Sequence, residues 1–135
     1  MPEAIPVGAG KRVLVVDDED NTRQTITRML EAGGFSVITA TNGAEALECL
    51  AEQRDDIDIV LSDVTMPTMN GIDLSYHIRD QYPGMPVAIV SGDVSDLEKS
   101  IIGREDFPFI KKPFHAESLY SAVREAIRRQ STALD

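Results

Sequence analysis

The chain contains little cysteine, no long apolar run and few basic residues for its acidic content. Cys49 is the only cysteine, which excludes an internal disulfide and indicates a reducing, cytoplasmic compartment. We expect Cys49 to be a buried or half-buried small apolar residue on a helix. A helix that crosses a bilayer needs about 20 consecutive apolar residues. No run approaches that length, so a membrane partner is not expected.

The balance of charge is strongly acidic. The chain has 13 Lys and Arg residues against 23 Asp and Glu residues, which gives a formal net charge of −10. Binding to the phosphates of nucleic acid requires a basic surface, so a direct nucleic-acid partner is excluded. The charge is suited instead to solubility and to the attraction of cations.

The length of 135 residues indicates one domain with a core of its own. We place this domain at residues 11–130. Residues 1–10 lack the basic region and apolar core of a signal peptide, and they are predicted to form a flexible N-terminal tail or linker. Residues 131–135 are predicted to be a C-terminal tail.

Five apolar segments alternate with segments of helical periodicity. This alternation predicts an α/β fold with a doubly wound, five-stranded parallel sheet, helices on both faces and right-handed crossovers. The last helix has the clearest 3.6-residue period, whereas the helix predicted at Ser95–Gly103 is short and weak. The predicted strands are Val13–Val16, Phe35–Ala40, Ile57–Ser62, Pro86–Val90 and Phe107–Ile110.

Polar residues of a particular kind stand at the ends of four of these strands, and only the second strand, which ends in Thr41-Asn42, breaks the pattern. In a doubly wound sheet the first, third, fourth and fifth strands can lie side by side, and sites form outside the carboxyl ends of the strands. We therefore expect these side chains to converge. They are Asp17 and Asp18 after the first strand, Asp63 after the third, Ser91 after the fourth and Lys112 after the fifth.

This set of residues suits phosphoryl chemistry. Three carboxylates in one crevice repel one another, and a magnesium ion, which prefers oxygen ligands and one or two carboxylates, relieves the repulsion. A lysine and a hydroxyl beside the ion suit a phosphoryl group, because they supply positive charge and a hydrogen bond. A carboxylate can itself be the nucleophile in phosphoryl transfer.

At these positions the sequence resembles the receiver domains of two-component response regulators. The resemblance extends over about residues 11–130 and depends on four motifs. They are Val-Leu-Val-Val-Asp17-Asp18-Glu, Leu-Ser-Asp63-Val-Thr-Met-Pro67 followed by Asn70-Gly71, Val-Ser91-Gly92, and Ile-Lys-Lys112-Pro113-Phe114.

The resemblance implies a flavodoxin-like (βα)5 fold with strand order 2-1-3-4-5. It also implies that Asp63 accepts a phosphoryl group from a histidine kinase or histidine phosphotransferase in a magnesium-dependent reaction. Asp18, Asp63 and the backbone carbonyl of Thr65 are then expected to be direct magnesium ligands, and Asp17 is expected to act through water. The domain is then a signalling domain rather than an enzyme, with self-catalysed phosphotransfer and autodephosphorylation.

The resemblance further implies a conformational switch. Ser91 and Lys112 stand at the positions of the phosphate-sensing pair, and Phe109 stands at the position of the switch aromatic. The surface of the fourth helix, fifth strand and fifth helix is expected to respond and to contact an effector or a second copy. The alternative for Phe109 is a fixed core ring. The Lys112–Pro113 peptide is expected to be cis.

Two other functions fit parts of the pattern. A haloacid-dehalogenase-like phosphatase also uses a strand-end aspartate, magnesium, a hydroxyl and a lysine, but it needs a second aspartate two residues later, where this chain has Thr65. A receiver-like module that only docks a partner, without accepting phosphate, is the other alternative.

The mouth of the predicted sheet is flanked by the first helix and by the loop after Lys112. A phosphodonor protein is therefore expected to contact residues on both sides. Phe114 is interpreted either as an exposed apolar anchor for that partner or as a ring packed under the last helix. The expected contact residues are Asn21, Thr22, Thr25, Pro113 and Phe114.

Overall fold

The computed structural model describes residues 10–64, 66, 69–92 and 108–134. Within them lies one parallel sheet of five strands in the order β2-β1-β3-β4-β5. The predicted order 2-1-3-4-5 is therefore confirmed. The strands are β1 (Arg12–Val16), β2 (Ser36–Ala40), β3 (Ile59–Asp63), β4 (Val87–Ser91) and β5 (Phe109–Lys111).

Helices cover both faces of the sheet, as predicted. Two of them, α2 (Gly43–Gln53) and α3 (Gly71–Gln81), pack on one face, and α1 (Asp20–Ala32) and the last helix (Ala116–Leu134) pack on the other. No helix among the described residues combines the length and apolar character needed to cross a bilayer. The helix predicted at Ser95–Gly103 lies outside the described residues.

The central strands are buried on both faces, which explains their continuous apolar sequence. Successive residues of β1 point to opposite sides, so Val13 and Val15 pack toward α1 and the last helix while Leu14 and Val16 pack toward α2 and α3. All four are fully buried. The sheet is therefore rigid where it ends, and side chains placed there are held by a packed core.

All five strands differ by one or two residues from their predicted ranges, and the differences in β3 and β4 bear on the site. β3 begins at Ile59 rather than Ile57, because a short 3₁₀ turn at Arg54–Asp56 precedes it and the amide of Ile57 donates to the carbonyl of Arg54. β4 runs to Ser91 rather than Val90. The polar residues Asp63 and Ser91 are thus the last residues of their strands.

Helix α3 begins immediately beside the end of β3. Asn70 caps the helix, since its side chain accepts a 2.8 Å hydrogen bond from the amide of Asp73, and Asn42 caps α2 in the same way. A Cβ at Gly71 would lie 2.2 Å from the carbonyl oxygen of Asp63. Glycine is therefore needed for the helix to approach the backbone of the acidic strand end.

The last helix is joined to the end of α1 by Tyr120. Its hydroxyl donates a 2.6 Å hydrogen bond to the carbonyl of Met29, and its ring packs on Phe35 with centroids 5.9 Å apart. A Cβ at Gly33 would lie 2.6 Å from this ring. The glycine that ends α1 therefore also makes room for the tyrosine, a contact that helical periodicity does not predict.

Candidate functional site

The three carboxylates predicted from the strand ends meet in one crevice. Asp17 and Asp18 follow β1, and Asp63 ends the neighbouring β3, whose Ser62 is in register with Val16. One carboxylate oxygen from each of the three aspartates lies within 4.8 Å of the others. Asp17 is 1% exposed and Asp63 is 8% exposed, whereas Asp18 is open to solvent.

Lys112 is the first residue after β5, and its side chain reaches the same crevice. Its ammonium nitrogen lies 3.5 Å from Oδ1 of Asp63 and 3.9 Å from Oδ2 of Asp17. The Lys112 amide donates a 2.7 Å hydrogen bond to the carbonyl of Ser91. Ser91 is the last residue of β4, the strand that lies between β3 and β5. The Lys112–Pro113 peptide is cis, as predicted.

Burial, with a smaller effect of neighbouring carboxylates, raises the pKa values of the two inner carboxyls. Burial, and next the charge of Asp17, raise the pKa of Asp63 to about 6, although the Lys112 ammonium opposes the shift. Burial also raises the pKa of Asp17, against the hydrogen bond from the Glu19 amide and the charge of Lys112. A single ammonium therefore leaves the crevice short of positive charge.

The donor set fits a hard divalent cation. All the converging ligand atoms are carboxylate oxygens, the type that magnesium prefers. Oδ2 of Asp17 is buried and has no hydrogen-bond partner among the described residues, so it lacks the contact that a buried carboxylate oxygen ordinarily makes. The backbone carbonyl predicted as a further ligand belongs to Thr65, which lies outside the described residues.

The loop between β1 and α1 is held by contacts that the sequence did not reveal. The Asp17 amide donates to the carbonyl of Ala40 at 3.1 Å, and Oδ1 of Asp17 accepts a 2.9 Å hydrogen bond from the Glu19 amide. Nη1 of Arg23 donates to the Asp17 carbonyl at 2.8 Å. Spacing alone does not distinguish Arg23 from the other arginines of the helical surface.

Ser91 and Phe109 lie on the adjacent strands β4 and β5. Ser91 is 3% exposed at the carboxyl end of β4, one residue beyond the Asp63–Val90 pair. Phe109 begins β5, is paired with Ile89 and is half-buried against the core under α2 and α3. Ser91 therefore lies at the acidic end of the sheet, and Phe109 lies on the adjacent strand, two residues before the position paired with Ser91.

An open groove of about 540 Å³ leads to Lys112 from outside. All five residues predicted to face a phosphodonor line this groove. Met29 and Gly92 also line it, although the sequence did not predict them. Phe114 is half-buried and also packs against the core under α1 and the last helix, so each interpretation of its ring describes part of its surroundings. The lining residues are Asn21, Thr22, Thr25, Met29, Gly92, Lys112, Pro113 and Phe114.

Residues 13–124 match the family model of the response regulator receiver domain. The chain belongs to this family. Receiver domains are signalling domains that bind Mg²⁺ at an acidic aspartate cluster and pair with histidine kinases and effector domains. The predicted identity and signalling role are therefore confirmed, and membership of this family replaces the phosphatase alternative.

Two relatives of this chain are much longer proteins. The chain is 35% identical over 129 residues to the sensor kinase CckA of Brucella abortus, covering 95% of this chain and 14% of that protein. It is 36% identical over 117 residues to the DNA-binding transcriptional regulator NtrC of Escherichia coli, covering 85% of this chain and 24% of the regulator. The chain thus spans a quarter or less of these two proteins.

Solved structures share the fold. A receiver domain protein from Clostridium thermocellum superposes with a TM-score of 0.81 at 34% identity, covering 91% of this chain and 98% of that one. The chemotaxis protein CheY4 of Vibrio cholerae has a TM-score of 0.75 at 30% identity, covering 87% and 99%. Strand order and helix placement are therefore those of a CheY-like flavodoxin fold.

Proposed function

We propose that Asp63 is the phosphoacceptor of this receiver domain. The observation that supports this most directly is the Lys112 ammonium 3.5 Å from Oδ1 of Asp63, at the buried end of the central strand. A carboxylate in that position is fixed by the core, faces a cation and keeps 8% of its surface exposed, beside Lys112, which lines the groove. Asp17 is more deeply buried and Asp18 is exposed, so neither combines these three properties.

The transfer forms one bond and breaks one. An Asp63 oxygen attacks the phosphorus of a phosphohistidine, a P–O bond forms, and the P–N bond breaks to release the imidazole. Lys112 pairs with a phosphoryl oxygen, and the Ser91 hydroxyl donates to another. In autodephosphorylation, a water oxygen attacks the phosphorus, and the P–O bond to Asp63 breaks to restore the carboxylate and release phosphate.

Magnesium would be held by Asp18, Asp63 and the Thr65 carbonyl, with Asp17 contributing through water. When bound, it supplies charge neutralisation for the carboxylates and the phosphoryl oxygens. The arrangement of the carboxylates supports this assignment, as does Oδ2 of Asp17, which has no hydrogen-bond partner among the described residues. Asp17 is the most buried of the three carboxylates, so it would help to hold the ion through water and would not contact the phosphoryl group.

The partner proposed for the groove is a histidine kinase or a histidine phosphotransferase. The groove joins polar residues of α1, such as Thr22 and Thr25, to the apolar surface of Pro113 and Phe114. A donor helix placed there would bring its phosphohistidine to Lys112 and Asp63. The lone Cys49 supports action in the reducing cytoplasm.

Phosphorylation is proposed to switch the surface that includes β5. Ser91 would move toward a phosphoryl oxygen, and the half-buried ring of Phe109 would turn into the space beside β4. An effector or a second copy of the chain would bind the changed surface. The support for this is the position of the two residues on adjacent strands, where Ser91 is paired with Lys111, two residues after Phe109.

The acceptor assignment is tested by incubating the chain with acetyl phosphate and Mg²⁺ and measuring the intact mass. The wild type is expected to gain one phosphoryl group, Asp63→Asn none, and the control Asp80→Asn, an exposed position on α3, the same as the wild type. Phosphorylation that persists in Asp63→Asn contradicts the assignment. A wild type that gains no phosphoryl mass from acetyl phosphate or from a phosphorylated donor favours the docking module.

A further inference from the structure

We infer that Arg23 is a positioning residue for the magnesium site, because it fixes the peptide unit between Asp17 and Asp18. This inference rests on the proposed metal-dependent function and adds a residue to it. Arg23 does not reach the carboxylates that would bind the ion. It acts on the backbone that carries them.

The guanidinium makes two contacts at once. Nη1 donates a 2.8 Å hydrogen bond to the carbonyl of Asp17, and Nη2 lies 2.5 Å from Oδ1 of Asp20. The Arg23 side chain is only 15% exposed, whereas that of Asp20 is 77% exposed. An ion pair with so exposed a partner stabilises little. The hydrogen bond to the Asp17 carbonyl is therefore the more important of the two contacts of this largely buried arginine.

Fixing that carbonyl fixes the neighbouring residue. The peptide unit is planar, so the Asp17 carbonyl and the Asp18 amide turn together. Asp17 has two further restraints, through its amide and its own carboxylate. Within the described part of the chain, the Asp18 carboxylate makes no hydrogen bond or ion pair, so its direction depends on its backbone, and that backbone is set by Arg23.

The test compares Arg23→Met with Arg28→Met, a change at an exposed arginine of the same helix. Magnesium binding to each folded, metal-free protein is measured by titration calorimetry. Loss of an outer group that orients a metal ligand typically costs on the order of tenfold in affinity or more, so Arg23→Met is expected to raise the Kd for Mg²⁺ about tenfold. Arg28→Met is expected to leave it unchanged. Equal Kd values in the two variants would overturn the inference.

A conservative variant separates geometry from charge. Arg23→Lys keeps the positive charge, but one ammonium lacks the planar fork that holds the Asp17 carbonyl and the Asp20 carboxylate together. We expect a Kd between those of the wild type and Arg23→Met. A Kd equal to that of the wild type overturns the positioning role, and this holds also where Arg23→Met fails to fold.

A second measurement needs no metal. The backbone amide resonances of Asp18 and Glu19 are compared in metal-free Arg23→Lys and Arg28→Met, and only the Arg23 variant is expected to shift them. Unshifted amides contradict the inference. A wild type that binds no Mg²⁺ contradicts the proposed metal site itself, and the amide comparison then still decides whether Arg23 orients this loop.

Discussion

Asp63 ends β3 and Lys112 follows β5, two strands that are not neighbours in the sheet, yet the Lys112 ammonium is 3.5 Å from Oδ1 of Asp63. β4 separates β5 from β3, so the lysine side chain passes over the end of β4. A Cβ at Gly92 would lie 3.3 Å from its Cδ atom. The small residue after Ser91 therefore keeps open the path by which the lysine reaches the carboxylate.

Removal of this ammonium is expected to slow phosphorylation. Lys112→Ala leaves the developing phosphoryl charge without its cation, and the loss of one such electrostatic partner costs on the order of 10²-fold in rate. Lys111→Ala, at the exposed neighbouring position, is expected to react like the wild type. Intact-mass time courses with acetyl phosphate measure both rates, and equal rates would exclude a role for the Lys112 charge.

The stability of the metal-free protein is expected to fall as the pH rises through about 6. Burial raises the pKa of Asp63 from 3.8 to about 6, so between these values the native state binds more protons than the unfolded chain. Above pH 6 the charged carboxylate therefore destabilises the fold. Asp63→Asn is expected to add on the order of 2 kcal/mol to the free energy of unfolding at pH 7.5 and little at pH 4.

Urea unfolding in the presence of a chelator measures this difference. Asp80→Asn is the matched change at an exposed site, and it is expected to change the unfolding free energy little at either pH. A gain in Asp63→Asn that is the same at both pH values would show that burial of the charge is not its cause.

Magnesium is expected to stabilise the wild type and not Asp18→Ala. An ion that binds only the native state adds about 1.4 kcal/mol at ten times its Kd, which raises the midpoint of thermal unfolding. Asp18→Ala removes a proposed ligand at an exposed position, so the fold survives while this increment is lost. Glu48→Gln on α2 serves as the control, and stabilisation of Asp18→Ala equal to that of the control would refute the ligand assignment.

The groove is expected to affect transfer from a protein donor but not from a small molecule. Thr25→Arg places a large side chain on the groove wall, and Phe114→Ala removes apolar contact surface. Loss of a central contact residue typically costs about 1 kcal/mol or more, so transfer from the kinase or phosphotransferase is expected to slow about tenfold. Thr39→Ala on β2 is the exposed control, and unchanged transfer would argue against this face.

Acetyl phosphate provides the internal comparison for these variants. Its phosphorylation of Asp63 depends on the crevice and not on the groove surface, so its rate is expected to stay near that of the wild type. A parallel loss with both donors would indicate damage to the fold or the crevice instead of a lost docking contact.

The switch is expected to appear in backbone amide shifts. Burying a phenylalanine ring gains about 1.5–3 kcal/mol, enough to shift a two-state equilibrium tenfold or more. Adding beryllofluoride with Mg²⁺ is therefore expected to shift amides across residues 95–110, including Phe109, while Phe35 on the other face stays unchanged. Shifts confined to the neighbourhood of Asp63 would indicate that Phe109 is a fixed core ring.

The sequence predicted those parts of the fold that follow from periodicity and strand-end chemistry. Continuous apolar runs such as Val13–Val16 identify central parallel strands, and strand ends bring Asp17, Asp63 and Lys112 together without any distance being known. Contacts that depend on how a helix is turned against its neighbours were not predictable. Arg23 on the Asp17 carbonyl and Tyr120 on the Met29 carbonyl depend on helix rotation and crossing geometry, which the hydrophobic pattern sets only approximately.

The predicted start of the third strand was wrong because a short turn precedes the strand. Ile57 has the apolar character of a strand residue, but the Arg54–Asp56 turn fixes its amide, so pairing with β1 begins later. The cis Lys112–Pro113 peptide was expected from the family resemblance, since no local propensity distinguishes it from the more common trans form.

The Tyr120 hydrogen bond connects the wall of the groove to the last helix, which packs on the same face of the sheet as α1. Met29 lines the groove, and its carbonyl is bound by a side chain of the last helix. The backbone at Met29 is therefore fixed from two sides, by the turns of α1 and by the tyrosine hydroxyl, so this part of the groove wall is built jointly by two helices.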